Sequence, residues 1–176
     1  MLHVMKSASM VLLLTLSAAV LAQSDGLSVF SDLDGEPKQL EEYTGDGKWL
    51  VVMIWASDCH ICNLEAPTYD AFHKAQQDKG ISVLGITMDG EEKKAAAKTF
   101  IERHKLSFPN LIGEPGMVGL YYAAMTQESL RGTPTFLVYD PDGKLAAAQP
   151  GAVSVEAIER FIAKKNAARI AKKGSS

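Results

Sequence analysis

Cysteine is the residue type through which this chain could do chemistry. The 176 residues contain two, and they stand together as Cys59-His60-Ile61-Cys62, directly after an apolar run ending in Trp55. Two thiols at this spacing can close a small disulfide ring and open it again. As a staple the pair would contribute little, because the stabilisation from a cross-link grows with the length of the loop it closes. Reversible redox chemistry or capture of a soft metal ion is what such a pair offers.

The flanking sequence supplies the elements that must position it. Trp-Leu-Val-Val-Met-Ile-Trp (Trp49–Trp55) is continuous and apolar, the pattern of a strand buried on both faces. After Cys59 the pattern turns helical, with Ile61, Leu64, Ala71, Phe72 and Ala75 among polar residues as far as Lys79-Gly80. Cys59 therefore falls at the start of a helix and Cys62 one turn inside. Free N–H groups and the helix dipole favour negative charge at that end, so a Cys59 thiolate is stabilised and its pKa should fall below that of a free thiol. Cys59 reads as the nucleophile and Cys62, on the inward face, as the resolving thiol.

Around this unit the spacing predicts a second buried strand over 81–88 and a helix over 91–105 with acids early and bases late. A short helix follows over 117–125. Thr135–Tyr139 and 144–148 flank Asp140-Pro141-Asp142-Gly143, a strong hairpin turn. Residues 154–173 form a final helix with Ser154 as N-cap. Ahead of everything, 25–40 reads as a short hairpin turning at Asp34-Gly35. The order gives one α/β domain with a mixed sheet.

Residues 1–22 read as an export signal: Lys6 at the start, an apolar core from Met10 to Val20, and cleavage after Ala22. The apolar stretch is short for a membrane span, and no cysteine follows the cleavage site to carry a lipid. Removing this segment and Lys6 with it leaves 17 basic against 21 acidic residues, a net charge of −4. Nucleic acid is excluded as a partner on that balance, and the basic stretch 164–173 reads as a solvated helix end. Export places the pair where disulfides persist, so the expected location is the bacterial periplasm. The expected boundaries are a signal peptide at 1–22, a folded domain at 23–170 and a flexible basic tail at 171–176.

Trp55-Ala56-Ser57-Asp58-Cys59-His60-Ile61-Cys62 resembles the active-site segment of the thioredoxin superfamily, and Arg131-Gly132-Thr133-Pro134-Thr135-Phe136 resembles its cis-proline loop. Cys62-Asn63-Leu64-Glu65-Ala66-Pro67 is similar to the exported TlpA/ResA-like thiol-disulfide oxidoreductases, and Phe108-Pro109-Asn110-Leu111 after an extra helix fits the same branch. The resemblance spans 27–165. It implies a thioredoxin-like α/β fold: a central mixed sheet flanked by helices, with an N-terminal β extension and an inserted strand-helix unit. It implies exchange of the Cys59–Cys62 disulfide with protein thiols and disulfides, with no cofactor, no metal and no stable small-molecule ligand. In the reducing direction it implies a membrane thiol donor and a client such as an apocytochrome or a metal-site assembly protein. Pro134 would be cis, leaving the backbone of Thr133 to pair with a substrate strand.

Two departures matter. Thioredoxin itself carries an acid where this chain has Met53, so proton handling passes to Glu65, one turn beyond Cys62, where burial beside thiols would raise its pKa. Asp58 replaces a second tryptophan, and its charge should oppose the Cys59 thiolate unless screened. His60 either stabilises that thiolate or is an exposed turn residue. Trp55 is expected to be partly core and partly a rim for substrate.

The rival chemistries use the same residues. Cys59, Cys62 and His60 could hold Cu(I), with His73 and His104 set aside as helix-surface residues. Structural zinc needs four ligands, and a c-type haem needs histidine at the position of Asn63. A peroxiredoxin-like thiol peroxidase is the other alternative, because peroxiredoxins share the inserted unit, although the threonine they carry two or three residues before the cysteine is poorly matched by Ser57-Asp58-Cys59.

Overall fold

A computed structural model describes residues 28–173. The expected signal peptide and its cleavage site lie outside the described residues. The domain is built on one seven-stranded sheet. Its strands are β1 (Phe30–Asp32), β2 (Pro37–Lys38), β3 (Trp49–Trp55), β4 (Ile81–Thr87), β5 (Asn110–Ile112), β6 (Thr135–Tyr139) and β7 (Leu145–Pro150), in the spatial order β2-β1-β5-β4-β3-β6-β7. The helices are α1 (His60–Gln76), α2 (Lys94–His104), α3 (Pro115–Thr126) and α4 (Val155–Lys173).

All seven residues of β3 are buried, as an uninterrupted apolar run requires of a central strand. It pairs in parallel with β4 and antiparallel with β6, which makes the sheet mixed. Side chains alternate across it. Trp49, Val51, Met53 and Trp55 enter a core shared with Cys62, Tyr69 and Phe72 of α1, Phe100 of α2 and Ile158 and Ile162 of α4. Leu50, Val52 and Ile54 face the opposite core, closed by Val118 and Tyr122 of α3 and by Phe30 and Leu40. The hairpin turning at Asp34-Gly35 is β1–β2, and it extends the sheet beyond β5.

Several helix limits differ from expectation. A 3-10 turn (Gln77–Lys79) continues α1 and ends at Gly80, whose φ of +86° is open to glycine at little cost. Helix α2 starts at Lys94 and has no acid in its first turn. Glu91 lies in the preceding turn, its N–H bound by Glu114 Oε1 at 2.9 Å. Ser154 does cap α4, its Oγ accepting the Ala157 N–H at 3.3 Å, and the helix carries through to Lys173.

The inserted unit, α2 with β5, is tied to β3 by a bond that passes over a glycine. Trp55 Nε1–H donates to Asn110 Oδ1 at 3.1 Å, directly above Gly85 of β4. A β-carbon on Gly85 would overlap that oxygen and stand 2.9 Å from Trp55 Nε1. Gly85→Ala is therefore expected to cost about 2–4 kcal/mol, combining overpacking with a lost buried hydrogen bond. A urea-unfolding midpoint equal to that of the parent would show that this close approach is not needed.

Candidate active site

Cys59 is the N-cap residue of α1, with extended backbone (φ −76°, ψ 111°), and its Sγ accepts the Cys62 N–H at 3.1 Å. The side chain thus occupies the place of a capping oxygen and meets one of the free donors of the first turn. The two cysteines are joined as a disulfide, with Cα atoms 5.2 Å apart. Cys59 is partly accessible while Cys62 is fully buried at 0 %. The inward face of α1 runs through Cys62, Ala66 and Tyr69, which is why the second thiol is enclosed.

Glu65 stands one turn beyond Cys62. Its Oε2 is buried and has no hydrogen-bond partner among the described residues, and burial raises the carboxyl pKa above its ordinary 4.5. Met53, two residues before Trp55, is packed in the core at 1 % exposure. The Thr133–Pro134 peptide is cis. Ile54 pairs with Thr135 across β3 and β6, so Pro134 falls level with Trp55, at the end of β3 from which the cysteine loop departs. Thr133, one residue further out, is half-buried.

Other expected positions are corrected. Trp55 offers no rim to a substrate: it is 1 % exposed, stacked on Phe100 at 4.2 Å and bonded to Asn110. Asp58 is paired with Lys93 at 2.8 Å, and that bond holds its carboxyl below the usual range. Its charge is thereby offset by a cation from the approach to α2. His60 is exposed. His73 is no surface residue. It is buried, and its Nδ1 accepts the Val83 N–H at 3.1 Å, while burial lowers its pKa. His104 is half-buried and bonded to Asn63, as described below.

One functional neighbour escaped the sequence reading. Asp89, 6 % exposed, accepts from the Ser57 N–H at 3.0 Å, the Ser57 Oγ–H at 3.0 Å and the Thr87 Oγ1–H at 2.6 Å. It anchors the turn in which the Cys59 N–H meets the Ala56 carbonyl at 3.1 Å. The available signal was an acid just past a buried strand, Met88-Asp89-Gly90, at the end of the sheet where β3 also hands over to the cysteines.

An accessible disulfide on a helix N-cap, an enclosed second sulfur and a cis-proline level with the loop define a thioredoxin-like redox protein. The chain belongs to the AhpC/TSA family, whose profile matches residues 22–148, and within the superfamily it is a thiol-disulfide oxidoreductase. It is 27 % identical over 136 residues to the thiol-disulfide oxidoreductase ResA of Bacillus thuringiensis subsp. konkukian, covering 77 % of this chain and 73 % of that protein. Among solved structures it resembles the exposed lipoprotein thioredoxin of Streptococcus pneumoniae, with a TM-score of 0.61, 26 % identity and coverage of 77 % and 96 %. A thioredoxin-family thiol:disulfide interchange protein of Chlorobium tepidum shares the fold with a TM-score of 0.62, at 21 % identity and coverage of 76 % and 88 %.

Proposed function

We propose that this protein is an exported reductant that passes two electrons from a membrane thiol donor to a disulfide in a client protein of the apocytochrome or metal-site assembly type. The observation that carries this reading is the asymmetry of the pair: a partly accessible cysteine at the helix N-cap and a buried one a helical turn from Glu65, whose Oε2 has no hydrogen-bond partner among the described residues. In the reduced protein the Cys59 thiolate attacks one sulfur of the client disulfide. A mixed disulfide forms and the client's other sulfur leaves as thiolate, taking up a proton. Glu65 accepts the Cys62 proton, and Cys62 attacks Cys59 Sγ. The Cys59–Cys62 bond closes and the client leaves with both thiols. A donor dithiol then reverses the change.

Pro134 and Thr133 serve as the edge against which an extended client segment aligns, its backbone pairing with that of Thr133. The direction follows from thiolate stability, because whatever stabilises the thiolates makes a disulfide more oxidising. His60 faces solvent, where any charge it carries is screened. The buried carboxyl beside Cys62 opposes a second negative charge there. The carboxyl favours the disulfide and a low potential, against the Cys62 N–H that favours a Cys59 thiolate, and a screened His60 adds nothing to the oxidising side. Export rests on the character of residues 1–22 and on the exposed location of the pneumococcal relative.

The equilibrium reduction potential tests the direction. A value near the reducing end of the superfamily range, about −270 mV, is expected, and a value near the oxidising end, about −120 mV, would make the protein an oxidant.

A further inference from the structure

Helix α2 belongs to the inserted unit, yet its last turn reaches the cysteine loop. His104 Nε2 lies 3.0 Å from Asn63 Oδ1. The roles in this contact are set by the other end of the amide. Asn63 Nδ2 donates to the Cys59 carbonyl at 3.0 Å and, more weakly, to the Ser57 carbonyl at 3.4 Å. Oδ1 is therefore the acceptor, and His104 carries its hydrogen on Nε2. The Cys59 carbonyl also receives the backbone N–H of Asn63 at 3.1 Å, so both donors on it come from one residue. The imidazole is held in turn by Phe100, with ring centroids 4.6 Å apart, and Phe100 stacks on Trp55.

We propose that His104 is a positioning residue for disulfide exchange: through Asn63 it fixes the backbone of residues 57–59 so that Cys59 Sγ stays aimed at the Cys62 N–H when the disulfide opens. The inference rests on the reading of Cys59 as the attacking thiol. The physical logic is that an open CxxC loop has lost its covalent ring, and a polar clamp from another element replaces that restraint. Without the clamp the sulfur rotates away from its donor, and the thiolate loses the hydrogen bond that favours it. Protonation of His104 takes place at Nδ1 and leaves the Nε2–H in position, so the clamp does not depend on the charge of the ring.

The test compares His104→Ala, His104→Gln and Asn63→Ala in the full domain. Two readouts are needed: the pH profile of iodoacetamide alkylation of Cys59 in the reduced protein, and the rate of insulin reduction. A merely structural role would not move the alkylation midpoint. His104→Ala and Asn63→Ala are expected to shift that midpoint upward and slow insulin reduction roughly threefold to tenfold, the size of one net hydrogen bond. His104→Gln, which keeps an N–H donor, is expected to stay within about twofold of the parent. If His104→Ala does not fold, Asn63→Ala and His104→Gln decide between them. The proposal is overturned if Asn63→Ala matches the parent in both readouts, or if His104→Gln is as impaired as the alanine variants. A parent protein that reduces no insulin would instead defeat the reading of Cys59, whereas an active parent with silent variants defeats the clamp alone.

Discussion

Cys59→Ser is expected to abolish insulin-disulfide reduction, lowering the rate by about a thousandfold or more, the scale at which loss of a nucleophile is felt. Serine at an N-cap preserves the start of α1, so the loss would report chemistry and not folding. Cys62→Ser is expected to fail differently. Cys59 remains accessible and still attacks, but the buried sulfur that would displace the client is missing, and the mixed disulfide accumulates as a species visible by intact mass. The contrast follows from burial: Cys62 is fully enclosed and Cys59 is not. Multiple turnovers by either variant would contradict the assignment of the two sulfurs.

Glu65→Gln is expected to slow closure of the Cys59–Cys62 bond by about a hundredfold at neutral pH, the lower end of what a positioned general base supplies. The first attack by Cys59 should be unchanged, so the mixed disulfide becomes long-lived without being permanent. The pH dependence gives the sharper signature. Only the ionised carboxylate can take the Cys62 proton, and burial raises the Glu65 pKa above 4.5. In the parent, closure should therefore slow as pH falls through that raised value. In Glu65→Gln this limb should vanish. Rapid quench of the mixed disulfide across pH measures both, and an identical limb in the two proteins would remove Glu65 from proton transfer.

Much of the framework was legible because it is written in local patterns. The run Trp49–Trp55 has no polar break and became the central strand, and Asp140-Pro141-Asp142-Gly143 became the turn between β6 and β7. Glu65 stands out through the family resemblance of Cys62-Asn63-Leu64-Glu65-Ala66-Pro67, and its Oε2 is buried without a hydrogen-bond partner among the described residues. The parts that were missed depend on contacts between elements far apart in the chain, which no periodicity encodes. Asp89 reaches back 32 residues to Ser57, and His104 reaches back 41 to Asn63. Trp55 is core as expected but no rim, for the same reason: its neighbours Phe100 and Asn110 come from the inserted unit, which covers the indole. The early acids of α2 were assigned to the helix by charge pattern, whereas Glu91 is bound by Glu114 of the following segment in a turn before the helix begins.

These misread contacts share a location. The inserted unit supplies the cover of Trp55, the cation that pairs with Asp58 on the approach to α2, and the imidazole that meets Asn63. Its helix is thus part of the wall of the redox site, and substitutions in α2 are expected to act on exchange as well as on stability.

The most direct measurement is a single-turnover electron count. Fully reduced protein is mixed with an equimolar amount of insulin, quenched in acid, and the free thiols on each partner are alkylated and counted by mass. Exchange through Cys59 and Cys62 predicts that the protein loses both thiols while insulin gains two, one for one. Protein that keeps both thiols beside unaltered insulin would contradict disulfide exchange as the function of this pair.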